Sequence, residues 1–454
     1  MDAHAASQIL PGVRRLNPRF AKALILENPD PSLDTYLREQ GIEPDRLPES
    51  ATLDVEGVIR RLQEGQHDLL FKRSRFLVDE RVVQASSRLA AVMLCCIGDD
   101  SVDKEACARH GVLVMNDPVS NSRSVVEMVF GEMICLARRI FYAHDAGRRH
   151  LWTKDNRQRY ELKGKTISII GLGNIGKQVA QMAEAFGMEV YFYDKSELAR
   201  EVGVTLEWKA CRSLTEAFRV GDFVTLHLSA EDPQGMSNRE IITYEHFRQL
   251  SADRPANSPR TFINAARGFL YRPEDLKRAI QDGHVRAAAV DVFPDEPGSP
   301  HDDWQNPYAD VDAVITTPHI GAATQEAQPR IAAHVAGTTR MFNLYGTVRD
   351  TVFSPRRVIG VSADPPYWAL AVVHSDRRGT KKAIDDGIYE AGASNLQSSH
   401  RDFPKLGIAY DINAIDRPLT DEQLAAMVER ACQISGDPTA IRSIRQFRVE
   451  AATG

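Results

Sequence analysis

Six cysteines among 454 residues are too few and too scattered to staple a fold. Cys95, Cys96, Cys107, Cys135, Cys211 and Cys432 make no CxxC pair and no framework spacing, so buried reduced thiols are expected rather than disulfides or a bound metal. Long apolar runs are missing as well. The most apolar stretch, Leu89 to Ile97, is far shorter than the roughly 20 residues that cross a bilayer. Met1 to Phe20 carries an acid at Asp2 and no apolar core, which is unlike a secretory signal. The expectation is a cytoplasmic chain with no membrane partner. An excess of positive charge is absent too: the formal net charge is -6, with no basic footprint for nucleic acid. A few placed arginines remain enough to hold a small anion.

What is present is ordinary for a soluble globular protein, with 43% hydrophobic and 26% charged residues. The length implies two or three domains. Ala23–Leu26 reads as a strand, Ser32–Gln40 as a helix stopped by Gly41, and Asp68–Lys72 as a second strand. A helix over Leu77–Ala85 and a buried strand over Leu89–Cys96 follow. Ser101 is placed to cap a helix reaching His110, before a strand at Val112–Met115. Alternating strands and helices argue for a parallel sheet covered on both faces. No phosphate-binding glycine loop follows these strands, so this unit carries no nucleotide. Ser124-Val125-Val126-Glu127 reads as a capping box opening a long helix through Ile140.

A second series begins at Lys165–Ile170. Its further strands are expected at Glu189–Tyr193, Phe223–Leu228, Thr261–Asn264, Ala287–Asp291 and Ala313–Thr316, with a helix capped at Ser213. Ser251–Arg260 reads as an exposed loop. Residues 350–367 hold three prolines and suit a linker. Beyond it, Trp368–His374, Lys381–Ala391, two strands around Pro404, a helix capped at Thr420 and a strand at Ile441–Phe447 give a βαββαβ order, that of a small ferredoxin-like α+β domain.

Gly171-Leu172-Gly173-Asn174-Ile175-Gly176 directly follows a buried strand and opens a helix. Gly171 permits the tight turn, Gly173 lets a pyrophosphate approach the backbone, and Gly176 allows close helix–strand packing. Asp194 ends the next strand, at the spacing where an acid meets ribose hydroxyls. A carboxylate there repels a 2'-phosphate and favours NAD over NADP, with the adjacent Lys195 pulling the other way. Downstream strand ends supply Arg267, a fork for a carboxylate; His319, an acid/base near neutrality; and Glu296, a carboxylate to orient that histidine. Taken singly each is as much a surface charge as a catalyst. In this order behind a dinucleotide loop they point to hydride transfer at a 2-hydroxy acid.

At these residues the sequence resembles the D-isomer-specific 2-hydroxyacid dehydrogenases: GLGNIG, YD, NAARG, DVFPDEP and TPHIG stand in that family's usual order. The resemblance runs from Ala21 to the C-terminus. Within the family it is closer still to the members that oxidise 3-phospho-D-glycerate with NAD. It implies an α/β fold with a split, flavodoxin-like lid (20–118 and 321–349), a Rossmann domain (119–320), the linker (350–367) and an ACT-like regulatory domain (368–454). It implies catalysis by Arg267, Glu296 and His319. It also implies cofactor contacts at the glycine loop, Asn174, Ile175, Asp194, His227, Ala265, Asp291 and Gly321. Arg73, Ser74, Arg75, Asn121 and Lys154 would face a small phosphorylated 2-hydroxy acid. His374, Asp376 and Asn395 would form an effector site, and the chain would assemble as a homo-oligomer, a tetramer.

Three segments depart from the family pattern. Gly98-Asp99-Asp100-Ser101-Val102-Asp103 stands for GTNQVD, His227-Leu228-Ser229 for HVP, and His374-Ser375-Asp376-Arg377-Arg378-Gly379 for HENRPG. Two other readings stay open: a sister reductase of glyoxylate, hydroxypyruvate or 2-oxoglutarate, and a dinucleotide-sensing protein without turnover.

Overall fold

Short apolar runs that alternate with amphipathic helices close here into two compact units. One is built from residues up to Pro118 and from Gln328 onward, the other from Val119–Ala327. The computed structural model describes residues 12–48, 54–232, 234–297, 303–354 and 357–451; the first eleven residues of the segment Met1 to Phe20, read above as unlike a secretory signal, lie outside them. Among the described residues no helix is long and apolar enough to cross a membrane, and all six cysteines are free thiols.

The first unit begins with β1 (Arg14–Arg15), then β2 (Lys22–Ile25), β3 (Glu43–Arg46), β4 (Leu69–Lys72), β5 (Ala91–Leu94) and β6 (Leu113–Met115). The last five form a parallel sheet in the order β3-β2-β4-β5-β6, a flavodoxin-like arrangement. β4 and β5 are buried along their whole length, which is why they read as unbroken apolar runs. β3, with the sequence EPDR, carries no such signal and was not expected. Its proline is tolerated because an edge strand has one side unpaired.

Three local expectations need correction. The helix expected from Leu77 starts at Glu80, because Asp79 caps it by accepting from Val82 N. Ser101 caps nothing; Asp103 accepts from Ala106 N, and Ser101 takes a hydrogen bond from the buried Lys72 ammonium. The long helix is Ser122–Arg138, so Ser124 lies inside it; the Ser124 hydroxyl meets Thr324, and Glu127 pairs with Arg123.

The second unit contains β7 (Thr166–Ile170), β8 (Glu189–Tyr193), β9 (Lys209–Ala210), β10 (Phe223–Leu226), β11 (Thr261–Asn264), β12 (Ala287–Val290) and β13 (Val314–Thr316). They make one parallel sheet in the order β13-β12-β11-β10-β7-β8-β9. The chain reverses direction across the sheet between β7 and β10, which opens a crevice at their carboxyl ends.

The helix Ala327–Tyr345 leads back into the first unit, where β14 (Tyr367–Ser375), β15 (Asn395–Phe403), β16 (Ile408–Ile415) and β17 (Ile441–Val449) form an antiparallel sheet ordered β17-β14-β16-β15. With its two helices this is the ferredoxin-like order. β1 adds to the β17 edge in parallel. A single apolar cluster runs from Phe20, Ile25 and Phe71 through Phe342 to Val373, Tyr410 and Phe447, joining the two sheets of this unit. Residues 350–367 are held to it by bridges from Thr351 to Met115 and from Ile359 to Val348.

Arg445 is fully buried in that cluster. Its guanidinium donates to the carbonyls of Asn17, Pro18, Phe342 and Asn343 and lies 4.0 Å over the Phe20 ring. Burial pulls it down to about 9, so it stays charged at neutral pH. Arg445→Met would strip the Asn17 and Pro18 carbonyls of their donor and leave those of Phe342 and Asn343 with only Gly346 N and the Arg19 guanidinium. We expect a loss of roughly 3–5 kcal/mol, read as a lower denaturant midpoint; an unchanged midpoint would show that water replaces the guanidinium at no cost.

Candidate active site

The crevice of the second unit is built from loops at the ends of its strands. Gly171 follows β7 with φ +97°, a conformation that side chains rarely adopt, and a Cβ there would sit 2.5 Å from the His227 carbonyl. A Cβ on Gly176 would lie 2.1 Å from the Gly171 carbonyl, so the turn closes only around glycine. Gly173 differs: open space surrounds its absent Cβ, where a phosphate would approach. The helix Asn174–Ala185 starts there without a side-chain cap at Gly173, and a helix N-terminus of this kind favours an anion. These features fit a bound dinucleotide.

Asp194 lies at the end of β8. One oxygen accepts from Leu172 N in the glycine loop at 2.7 Å and the other from Ser196 N at 2.7 Å, which fixes the carboxylate beside the loop. Lys195, which weighed against NAD, is drawn into an ion pair with Asp232 at 2.8 Å. His227, half-buried after β10, bonds Thr225, and burial pushes its imidazole down to about 3, so it is neutral. Ala265 is half-buried in the loop after β11.

Beyond β11, Asn264 shapes the Ala265–Arg267 loop: its side chain donates to the Arg267 carbonyl and accepts from Ala266 N. Arg267 stands close enough to Glu296 and His319 to act on the charge of both. Asp291, buried after β12, accepts from the Thr317 hydroxyl at 2.6 Å and from Ile320 N and Gly321 N at 2.9 Å each. These bonds hold the loop after β13, in which His319 sits at φ +54°. A non-glycine residue there is strained, and such strain gathers at functional sites. His319 Nδ1 lies 2.7 Å from Glu296 Oε2, while Glu296 Oε1 accepts from Phe293 N.

Glu296 therefore holds His319 through Nδ1 and leaves Nε2 for a reacting hydroxyl. The hydrogen bond to Glu296 raises the imidazole above its ordinary value, against the opposing effect of burial. Burial pushes the Glu296 carboxyl up, but its bond to His319 and the nearby charges bring it net below the usual range. The result is a carboxylate–imidazole pair beside an arginine fork, competent to move a proton on a hydroxy acid.

The remaining expected residues lie elsewhere. Arg73, Ser74 and Arg75 follow β4 in the first unit. The buried Glu27 carboxylate organises their loop by accepting from Arg73 N, Arg75 N and Phe76 N at 2.7, 2.7 and 2.9 Å. Asn121 and Lys154 belong to the second unit; Asn121 is buried with an unpartnered Oδ1, and Lys154 is exposed. In the ferredoxin-like domain His374 is buried, Asp376 is exposed, and Asn395 bonds Asn413 and Ser398. Asp99 is paired with Lys104 at 3.0 Å.

Sequence reasoning missed Glu27, Asn264 and Glu132. Glu132 is a buried carboxyl without a hydrogen-bond partner among the described residues, pushed up to about 8 by burial and then by Asp291. Its only signal is an acid inside the most apolar helix.

Residues 130–321 match the family model for the D-isomer specific 2-hydroxyacid dehydrogenase NAD binding domain. The D-3-phosphoglycerate dehydrogenase of Haemophilus influenzae is 34% identical over 358 residues, covering 78% of this chain and 83% of that one. That of Escherichia coli K12 is 32% identical, covering 81% and 86%. Among solved structures, an NAD+-bound 3-phosphoglycerate dehydrogenase from Entamoeba histolytica matches with a TM-score of 0.58 at 23% identity, over 74% of this chain and 99% of that one. A glyoxylate reductase from Paecilomyes thermophila gives 0.60 at 22%, over 73% and 98%. At such identities the structural likeness shows the fold.

Two measurements probe this geometry. A base at His319 must be neutral to accept a proton, so the rate of hydroxy-acid oxidation should rise as pH passes its raised pKa. Glu296→Gln removes the cause of that rise: the rising limb should move to lower pH and the maximal rate should fall by about 10²-fold or more. A limb that stays in place would assign the titration to another group. Glu132, raised in the folded state, contributes stability that is full below the ordinary carboxyl range and lost as pH climbs through about 8. Glu132→Gln should flatten the fall in melting temperature across that window, and parallel curves for the two proteins would show that Glu132 is already ionised.

Proposed function

The chain belongs to the D-isomer specific 2-hydroxyacid dehydrogenase family of NAD-dependent enzymes, and within it we propose that this protein oxidises 3-phospho-D-glycerate to 3-phosphohydroxypyruvate, the entry reaction of L-serine biosynthesis. The observation that carries the chemistry is the His319–Glu296 pair at 2.7 Å beside Arg267. Arg267 clamps the substrate carboxylate bidentately. His319 Nε2 takes the C2 hydroxyl proton, and Glu296 stabilises the imidazolium that forms. NAD would supply the hydride acceptor when bound; the glycine loop would hold its pyrophosphate, Asp194 its ribose, and His227 and Asp291 its nicotinamide end.

The phosphate is assigned to Arg73, Ser74 and Arg75, with Asn121 and Lys154. Two arginines and a lysine suit a phosphomonoester, which a plain hydroxy acid lacks. Glu27 accepts from three backbone N–H groups of that loop and pairs with the Arg75 guanidinium at 4.0 Å, so one carboxylate anchors a loop that carries two arginines. The likeness to D-3-phosphoglycerate dehydrogenases along most of the chain supports the same substrate. Ile140, Phe141, Tyr142, Leu151 and Trp152 are exposed, Trp152 by 90%, and this apolar run supports a homo-oligomer, read as a tetramer. The ferredoxin-like domain is read as an ACT-type regulatory domain in a cytoplasmic enzyme.

Turnover with NAD should be far greater for 3-phospho-D-glycerate than for D-glycerate or D-2-hydroxyglutarate. Arg75→Ala should raise the KM for 3-phosphoglycerate selectively, by the roughly 10- to 100-fold that 1.5–3 kcal/mol of a charged contact is worth. Equal effects on phosphorylated and plain substrates would remove Arg75 from phosphate recognition.

A further inference from the structure

The ferredoxin-like sheet gathers a second set of titratable side chains. His400 on β15 is directly opposite Asp411 on β16, and Asp411 is opposite Val372, two residues before His374 on β14. Opposed residues share a face and so do residues two apart, so all three side chains stand on one face. His374 and Asp411 are buried, while His400 lies on the edge strand with its side chain partly exposed. One ring nitrogen from each histidine and one Asp411 oxygen lie within 4.8 Å of one another.

The surrounding bonds identify those atoms. His374 Nδ1 is 2.7 Å from the Ser375 carbonyl, which can only accept, so Nδ1 carries the proton and Nε2 a lone pair. That Nε2 has no hydrogen-bond partner among the described residues. His400 Nε2 is 3.0 Å from Asp402, so it donates there and leaves a lone pair on Nδ1, 3.9 Å from Asp411 Oδ1. Lys381 and Asn413 hold Asp411 Oδ2 at 3.1 and 3.3 Å, whereas Oδ1 has no hydrogen-bond partner among the described residues. Three acceptors converge, and the two buried ones have no hydrogen-bond partner among the described residues, a costly arrangement that a cation placed between them would relieve. The outer contacts are those that support metal ligands: each imidazole gives its other N–H to an oxygen, and the carboxylate is itself oriented.

We propose that His374 Nε2, His400 Nδ1 and Asp411 Oδ1 bind a divalent first-row transition ion, with zinc the best match. Two imidazoles and one carboxylate suit zinc, cobalt or nickel, whereas calcium and magnesium take oxygen ligands. Tetrahedral bonds of about 2.0–2.1 Å set donor atoms about 3.3 Å apart, so the ring of His400 turns inward from the edge strand to close the site. With three protein ligands, a fourth position stays open to water or a small ligand.

The test uses the full-length protein, stripped with chelator and titrated with cobalt(II). A tetrahedral cobalt spectrum saturating at one ion per chain and displaced by zinc is expected. His400→Ala, at the partly exposed edge, and the near-isosteric Asp411→Asn should each weaken binding at least tenfold. No saturable spectrum, or one unchanged in both variants, would overturn the proposal. Calorimetric binding of glycine that His400→Ala abolishes, without any cobalt spectrum, would assign the acceptors to an ammonium group and overturn it equally.

Discussion

The geometry of the proposed acid/base rests on one buried carboxylate. Asp291 lies just past β12, and its side chain and carbonyl bind four donors from the loop that follows β13. Those bonds tie two strand ends into one rigid edge. They also hold His319 in a left-handed conformation that costs of order 1–3 kcal/mol and persists only where its surroundings over-determine it. The position of the imidazole is thus set by Asp291, and its orientation by Glu296. A residue assigned to the cofactor therefore also builds the acid/base.

In the other unit a cation plays the equivalent structural part. Arg445, on the last strand, reaches the N-terminal segment and the end of the helix Ala327–Tyr345 at once. It has carbonyls and aromatic faces as partners rather than a carboxylate. Carbonyl dipoles can replace lost hydration without the steep dependence on pairing that an ion pair carries. The N-terminal segment and the last strand meet there, and the antiparallel sheet shares its apolar core with the parallel one.

How much of this was legible follows from the range over which each signal acts. The inner strands β4, β7, β10 and β11 announce themselves as buried apolar runs, and the glycine loop needs only six consecutive residues. Arg267, Glu296 and His319 could be read because each sits in a short motif at a strand end. Glu27 could not, since it acts on backbone N–H groups some 46 to 49 positions away and leaves no pattern. The same holds for Lys195 and Asp232, 37 positions apart, and for the two-residue strand β1, whose arginines look like surface charge. Ser124 failed for a different reason. The Ser-x-x-Glu pattern is a local preference, and the helix began two residues earlier to bury Ser122 and bring Ser124 to Thr324.

Three carboxyls of the second unit show how one fold assigns charge near neutrality. Burial raises the cost of ionising all of them; what differs is the supply of donors. Glu296 meets an imidazole and a backbone N–H, and the balance falls below the ordinary range. Asp291 has donors on both oxygens yet lies deeper, and burial still leaves it somewhat raised. Glu132 has no donor and faces Asp291, so it is held protonated up to about pH 8. A neutral Glu132 spares Asp291 a second negative charge, which would otherwise push Asp291 toward protonation and loosen its hold on the His319 loop. The buried acid of the apolar helix and the loop that carries His319 thus share one neighbour, Asp291.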